Sequence, residues 1–207
     1  MTMRAIADQV ARYYTDKVVI HGADPRGVDW SSAESQQLRF AQLLKVVVGT
    51  GPFSLTDYGC GYGALLDTMA GDQRLTCYQG FDISKAMVDL ARQRHEGHPA
   101  CRFTTEPDGL ESTDYVVASG IFNVKLGIDA RQWRQYAMTT LTHLAGLAKV
   151  GFAFNMLTSY ADADRQRPDL YYADPAPFFD HCKRNLARHV SLLHDYPLWE
   201  FTILARK

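Results

Sequence analysis

One stretch limits what this chain can fold into more than any other. Residues 53–58, Phe-Ser-Leu-Thr-Asp-Tyr, read as a strand, Gly59, Gly61 and Gly63 follow at alternate positions, and Ala64 opens a helical pattern. Glycines at such a junction let the backbone turn sharply and approach a ligand closely, while the helix start offers unpaired N–H groups. About 25 residues further on, a second strand ends in Asp82, the usual place for a carboxylate that grips ribose hydroxyls. A nucleoside-bearing ligand is implied.

The remainder alternates strand and helix, the mark of a parallel sheet with crossover connections. Strands are predicted at 76–82, 100–105, 115–119 and 149–155. Ser84 caps one helix, Asp129 caps a long one that runs to Leu147, and Asp174 with Pro175 opens another. The last two strands, 190–194 and 199–205, are joined by so few residues that the final one must run antiparallel to its predecessor. The predicted class is therefore α/β: a Rossmann-like, doubly wound, seven-stranded and mostly parallel sheet with its last strand antiparallel. Two helices precede it. The first covers 3–17 and is followed by a loop from His21 to Trp30, and the second starts at a capping box of Ser31 and Glu34.

A chain of 207 residues suffices for one ordinary α/β domain spanning 1–207. Its 22 basic and 23 acidic residues nearly balance, and no basic run marks a nucleic-acid surface, so a small-molecule partner is expected and nucleic acid is not. The first residues lack the apolar core of a signal peptide, and nothing approaches the roughly 20 apolar residues of a membrane span. A soluble, cytoplasmic protein with no membrane partner is the expectation. Cys60, Cys77, Cys101 and Cys182 show no paired spacing, which suggests reduced thiols, and no residue group has metal-ligand spacing, so no metal is predicted.

The glycine segment fits two fingerprints. Gly59-x-Gly61-x-x-Ala64 satisfies the loose dinucleotide pattern, which keeps an NAD(P)-dependent oxidoreductase open. Asp57 followed by Gly59, Gly61 and Gly63 resembles, position for position, the first motif of class I S-adenosylmethionine-dependent methyltransferases. The order of elements, with helices leading in and a terminal antiparallel pair, resembles the same family. That resemblance implies methyl transfer from S-adenosylmethionine to an oxygen or nitrogen of a small acceptor, with S-adenosylhomocysteine as product. An enzyme using the same cofactor for other chemistry, and a non-catalytic module, stay open.

The resemblance places Asp57 near the cofactor's amino-acid end, with Gly59, Cys60, Gly61 and Gly63 forming the turn. Asp82 falls on the ribose and Ile83 on the adenine. Glu106 or Asp108 stands in for an aspartate that this loop commonly carries, and Ser119 closes the fourth strand as a cofactor contact. Residues 1–50 become a helical cap over the cofactor and 51–207 the α/β core. Tyr13, Tyr14, Lys17, His21 and the run Gly27-Val28-Asp29-Trp30 resemble a subgroup of small bacterial methyltransferases. Arg39 is a candidate partner for the methionyl carboxylate, to be weighed against a plain surface arginine.

In an open α/β sheet the ligand lies beyond the carboxyl ends of the strands. That rule nominates Asn123 and Asn155 as acceptor contacts, together with Tyr171 from the loop 160–172, and Tyr14 and Trp30 from the N-terminal part. His194, in the last turn, and His21, in the loop before Trp30, are candidate general bases. Each is weighed against an ordinary surface histidine.

Overall fold

The computed structural model describes residues 2–28, 30 and 32–207. Seven strands form one sheet: β1 (Phe53–Tyr58), β2 (Leu75–Phe81), β3 (Cys101–Thr104), β4 (Thr113–Ala118), β5 (Ala148–Leu157), β6 (His189–Leu193) and β7 (Glu200–Arg206). Their order is β3-β2-β1-β4-β5-β7-β6. The first five strands pair in parallel, and β7 runs antiparallel to both β5 and β6. The predicted class is the observed one.

Helices cover both faces. α2 (Ala33–Leu44), α3 (Ala64–Thr68) and α4 (Lys85–Arg94) press Phe40, Leu43, Leu65 and Val88 against Leu55, Tyr78 and Val117. On the opposite face, α5 (Ala130–Leu147) and α6 (Pro175–His181) bring Leu141, Leu144 and Phe178 against Val116, Phe152 and Phe201. Strands covered on both sides need apolar residues at nearly every position, which is why β4 and β7 read as continuous runs instead of alternating.

α1 (Met3–His21) belongs to neither layer. Ile6 and Val10 pack on Ile128 and on Trp133, whose buried ring donates its indole N–H to the Phe122 carbonyl at 2.8 Å. At its other end, Thr15 shares a 2.8 Å hydrogen bond with Ser84, the cap of α4. The helix thus crosses from the α5 side to the α4 side over the carboxyl edge of the sheet.

Two boundaries differ from the sequence reading. α1 continues four residues past Lys17, until Gly22 takes a positive φ of 64° and returns its N–H to the Val18 carbonyl. His21 is therefore a helix-end residue and not a loop residue. The predicted Ser31 cap lies outside the described residues; the observed capping box is formed by Ser32 and Ser35, not by Glu34. A serine hydroxyl at the third position both donates and accepts, so it serves where glutamate was expected.

Candidate functional site

A cavity of about 410 Å3 opens at the carboxyl ends of β1, β2 and β4. Its floor is the glycine turn. The N–H groups of Gly59 and Cys60 both donate to the Phe81 carbonyl, at 2.7 and 2.9 Å, tying the end of β1 to the end of β2. Gly59 has φ +84°, and a Cβ there would lie 2.2 Å from the Ile121 side chain, so only glycine fits on both counts. Gly61 and Cys60 line the cavity with it, whereas Gly63 caps α3 behind the turn, its carbonyl 3.0 Å from His95 Nε2. Burial raises the Cys60 thiol well above its ordinary value, which keeps it an unreactive thiol.

Two carboxylates face this floor. Asp82 accepts the Gly61 N–H on one oxygen at 2.9 Å and the Ser84 N–H on the other at 2.8 Å, bridging the turn to the start of α4. Burial pushes its carboxyl up to about 6, against the pull of those two N–H bonds. Asp57, 2 % exposed, accepts a 2.6 Å hydrogen bond from the Tyr78 hydroxyl. Burial drives it up to about 7; the Tyr78 bond opposes the shift and the Asp82 charge adds to it. No cationic side chain among the described residues pairs with either one. Two buried carboxylates without a cation form a site electrostatically suited to a positively charged ligand.

The other predicted residues divide. Ile83 and Asp108 line the far end of the cavity, but Glu106 does not, and Ser119 lines the end nearer β4. The Ser119 hydroxyl is a buried polar atom with no hydrogen-bond partner among the described residues, which leaves it free for a ligand. Tyr14 and Trp30 form part of the roof. Arg39 does not reach the cavity. Its guanidinium makes a bidentate pair with Glu200, Nε and Nη2 lying 2.9 and 2.7 Å from Oε1, and it lies 3.9 Å from the ring centre of Trp30. A carboxylate of the chain itself occupies the role expected of the ligand's.

Asn123, Asn155 and Tyr171 also stand outside the cavity wall, where they fasten the loops beneath it. Asn155 accepts the Gly120 N–H at 2.7 Å and donates to Glu200 at 3.1 Å. Asn123 accepts the Leu157 N–H at 3.1 Å, while its own carbonyl takes the Tyr171 N–H at 2.8 Å. Neither proposed base lines the cavity. His194 is exposed beside the rings of Tyr160 and Phe201, and His21 ends α1.

Sequence reasoning missed one wall. Tyr136, Thr139, Thr140 and His143 of α5 line the cavity, and their spacing of three, four and seven residues puts them on one helix face. That polar spacing within an otherwise apolar-striped helix was the available signal. It also missed Gln36 and Phe40 of α2, which close the side next to Tyr62, and the buried Glu200.

This strand order, a glycine turn leaving β1, a carboxylate at the end of β2 and a closing antiparallel strand define a nucleoside-cofactor enzyme of the methyltransferase type. The chain is 48% identical over 164 residues, 79% of its own length and 99% of the relative's, to a protein of Mycobacterium tuberculosis (strain ATCC 25618 / H37Rv), Rv1506c, which carries a methyltransferase name. It belongs to the class I S-adenosylmethionine-dependent methyltransferase family. No family model matches the sequence. Among solved structures, the magnesium protoporphyrin IX methyltransferase of Synechocystis PCC 6803 with bound S-adenosylhomocysteine superposes with a TM-score of 0.68, covering 99% of each chain at 18% identity. The N-methyltransferase NodS of Bradyrhizobium japonicum WM9 superposes at 0.65, covering 95% of this chain and 96% of its own at 15% identity. Both likenesses concern the fold.

Proposed function

We propose that this methyltransferase acts on an oxygen or nitrogen of a small-molecule acceptor and holds its cofactor across the glycine turn. Asp57 receives the cationic amino-acid end and Asp82 the ribose hydroxyls. Ile83 and Asp108 meet the adenine, and the free Ser119 hydroxyl contacts the end near β4. The observation that carries this reading is the pair of buried carboxylates without a cation, set on a turn where a Cβ at Gly59 has no room. The groups present fit the cofactor. An orphaned buried hydroxyl and two unpaired carboxylates are what a polar, positively charged nucleoside would satisfy.

Residues 1–50 act as the cap: α1 supplies Tyr14, α2 supplies Gln36 and Phe40, and the connection between them supplies Trp30 to the cavity wall. S-adenosylmethionine, when bound, supplies an electrophilic methyl on a sulfonium. The chain's residues then orient it and exclude water, and positioning of that kind supplies much of the rate in an in-line displacement. With His194 and His21 outside the cavity, no protein base is assigned. The near balance of charge and the roofed cavity favour a small acceptor over a nucleic acid. The two structural neighbours, one named for a magnesium porphyrin and one as an N-methyltransferase, differ in acceptor, so the fold itself does not choose between them.

Calorimetric titration with S-adenosylhomocysteine, and separately with NADH, tests the reading. Micromolar binding of the first alone is expected. Binding of NADH alone would replace it with an oxidoreductase, and binding of neither would point to a non-catalytic module.

A further inference from the structure

At the β4 end of the cavity the roof residue Trp30 stands in a slot of its own. One side of the indole meets the Arg39 guanidinium, 3.9 Å from the ring centre. The indole also meets Gly120, where a Cβ would lie 2.2 Å from the ring atom Cη2 and φ is +70°. Both contacts trace to one side chain. Glu200, fully buried at the start of β7, holds Arg39 with both oxygens at 2.9 Å from Nε, and it accepts from Asn155, whose carbonyl oxygen in turn holds the Gly120 N–H at 2.7 Å. Arg39 Nη1 is buried with no partner among the described residues. The guanidinium thus lies over the indole while one of its nitrogens lacks a hydrogen bond.

We propose that Glu200 and Arg39 are positioning residues that fix Trp30 over Gly120, so that the last strand of the sheet sets the shape of the cavity at its β4 end. This rests on the reading of the cavity as the S-adenosylmethionine site. Stacking on a planar guanidinium demands arginine, since the ammonium of lysine is a point charge without a face. Neither Glu200 nor Arg39 touches the cavity; both act through Trp30 and, by way of Asn155, through the loop at Gly120. A buried ion pair is a weak source of net stability against apolar residues of similar volume, but it is demanding in geometry. The pair thus serves orientation more than cohesion.

The test uses the whole chain labelled with 5-fluorotryptophan, which gives separate fluorine signals for Trp30, Trp133 and Trp199, with Trp30→Phe assigning the first. The variants are Arg39→Lys and the double replacement of Arg39→Met with Glu200→Met. The double variant is expected to fold with a melting temperature near the parent's. In it the Trp30 signal moves toward the position of a solvated indole, the other two signals stay, and affinity for S-adenosylhomocysteine falls about tenfold, the size of one lost wall contact. Arg39→Lys, which keeps the charge, is expected to release Trp30 in the same way. An unmoved Trp30 signal with unchanged affinity in either folded variant would overturn the proposal and leave the pair a purely structural one. If the double variant fails to fold, Arg39→Lys decides alone. A parent protein that binds no S-adenosylhomocysteine would overturn the cofactor reading and the proposal with it. That failure is distinguishable, because the fluorine signals report Trp30 without any ligand.

Discussion

Two groups of buried charge serve the carboxyl edge of the same sheet, and they are built oppositely. At the glycine turn, Asp57 and Asp82 are held by a phenol and two backbone N–H groups but by no cation among the described residues. Behind Trp30, Glu200 is closed by a bidentate arginine and an asparagine. The first group has no cation to balance it among the described residues, while the second carries its own and supports a wall, although Arg39 Nη1 is left without a partner. Burial alone therefore does not distinguish the two groups; the charge partner does.

The largest effect should come from breaking the closed group. Glu200→Leu leaves the Arg39 cation buried and alone, and should cost about 3 to 5 kcal/mol in urea unfolding. A loss under about 1 kcal/mol would mean that water reaches Arg39 and that the contrast is false.

Breaking the open group should have the opposite balance. Asp57→Asn should leave the cofactor-free protein at least as stable at pH 8, because it removes a carboxylate that burial disfavours. It should weaken S-adenosylmethionine binding by about 1 to 3 kcal/mol through loss of a charge-assisted contact. Asp82→Ala should weaken binding by a similar amount. Unchanged affinity in either folded variant would remove that residue from the site.

A pH series sharpens the comparison further. Asp57 and Asp82 stand at about 7 and about 6 in the folded chain, against an ordinary 3.8. Between those limits the folded chain keeps protons that the unfolded chain has released. Stability from these groups is therefore full below about pH 4 and is lost as pH rises toward about 7. Other carboxylates and His181 shift the opposite way, so the fall is read from the difference in urea unfolding between the cofactor-free parent and Asp57→Asn, which should grow as pH rises toward about 7. A difference that does not change with pH across this window would place Asp57 in a different environment.

A smaller effect is expected at the junction of the two groups. Gly120→Ala forces a Cβ against Trp30 at a positive φ, and should cost about 1 to 3 kcal/mol. Combining it with Trp30→Ala should recover part of that loss, because the collision disappears and only the backbone strain remains. Full additivity of the two variants in thermal unfolding would show that they do not touch.

The same contrast explains what the sequence revealed. The open group lies within a short span, Asp57 through Ile83, where strand, glycine turn and acid follow one another, so its geometry is written locally. The mostly parallel sheet with its antiparallel last strand followed from the same alternation of strands and helices and from the short final connector. The closed group joins residues 161 apart, and nothing near Arg39 signals that a glutamate of the last strand will claim it. The sequence offers Arg39 to a ligand carboxylate, and the structure pairs it with Glu200 instead. Asn123, Asn155 and Tyr171 were placed at the right edge of the sheet. Which way the two asparagine side chains turn is decided by the Gly120 and Leu157 N–H groups they accept, and Tyr171 packs against the apolar clusters; these partners become visible only when the strands are assembled. His194 and His21 lie outside the cavity for a related reason: a position at a strand or helix end fixes neither the direction nor the exposure of the side chain.

The most direct test of the open group is a crystal structure of the S-adenosylhomocysteine complex. The account predicts the ribose hydroxyls on Asp82, the ammonium on Asp57 and Trp30 still seated over Gly120. A nucleoside bound elsewhere, or one bound here without contact to either carboxylate, would contradict it.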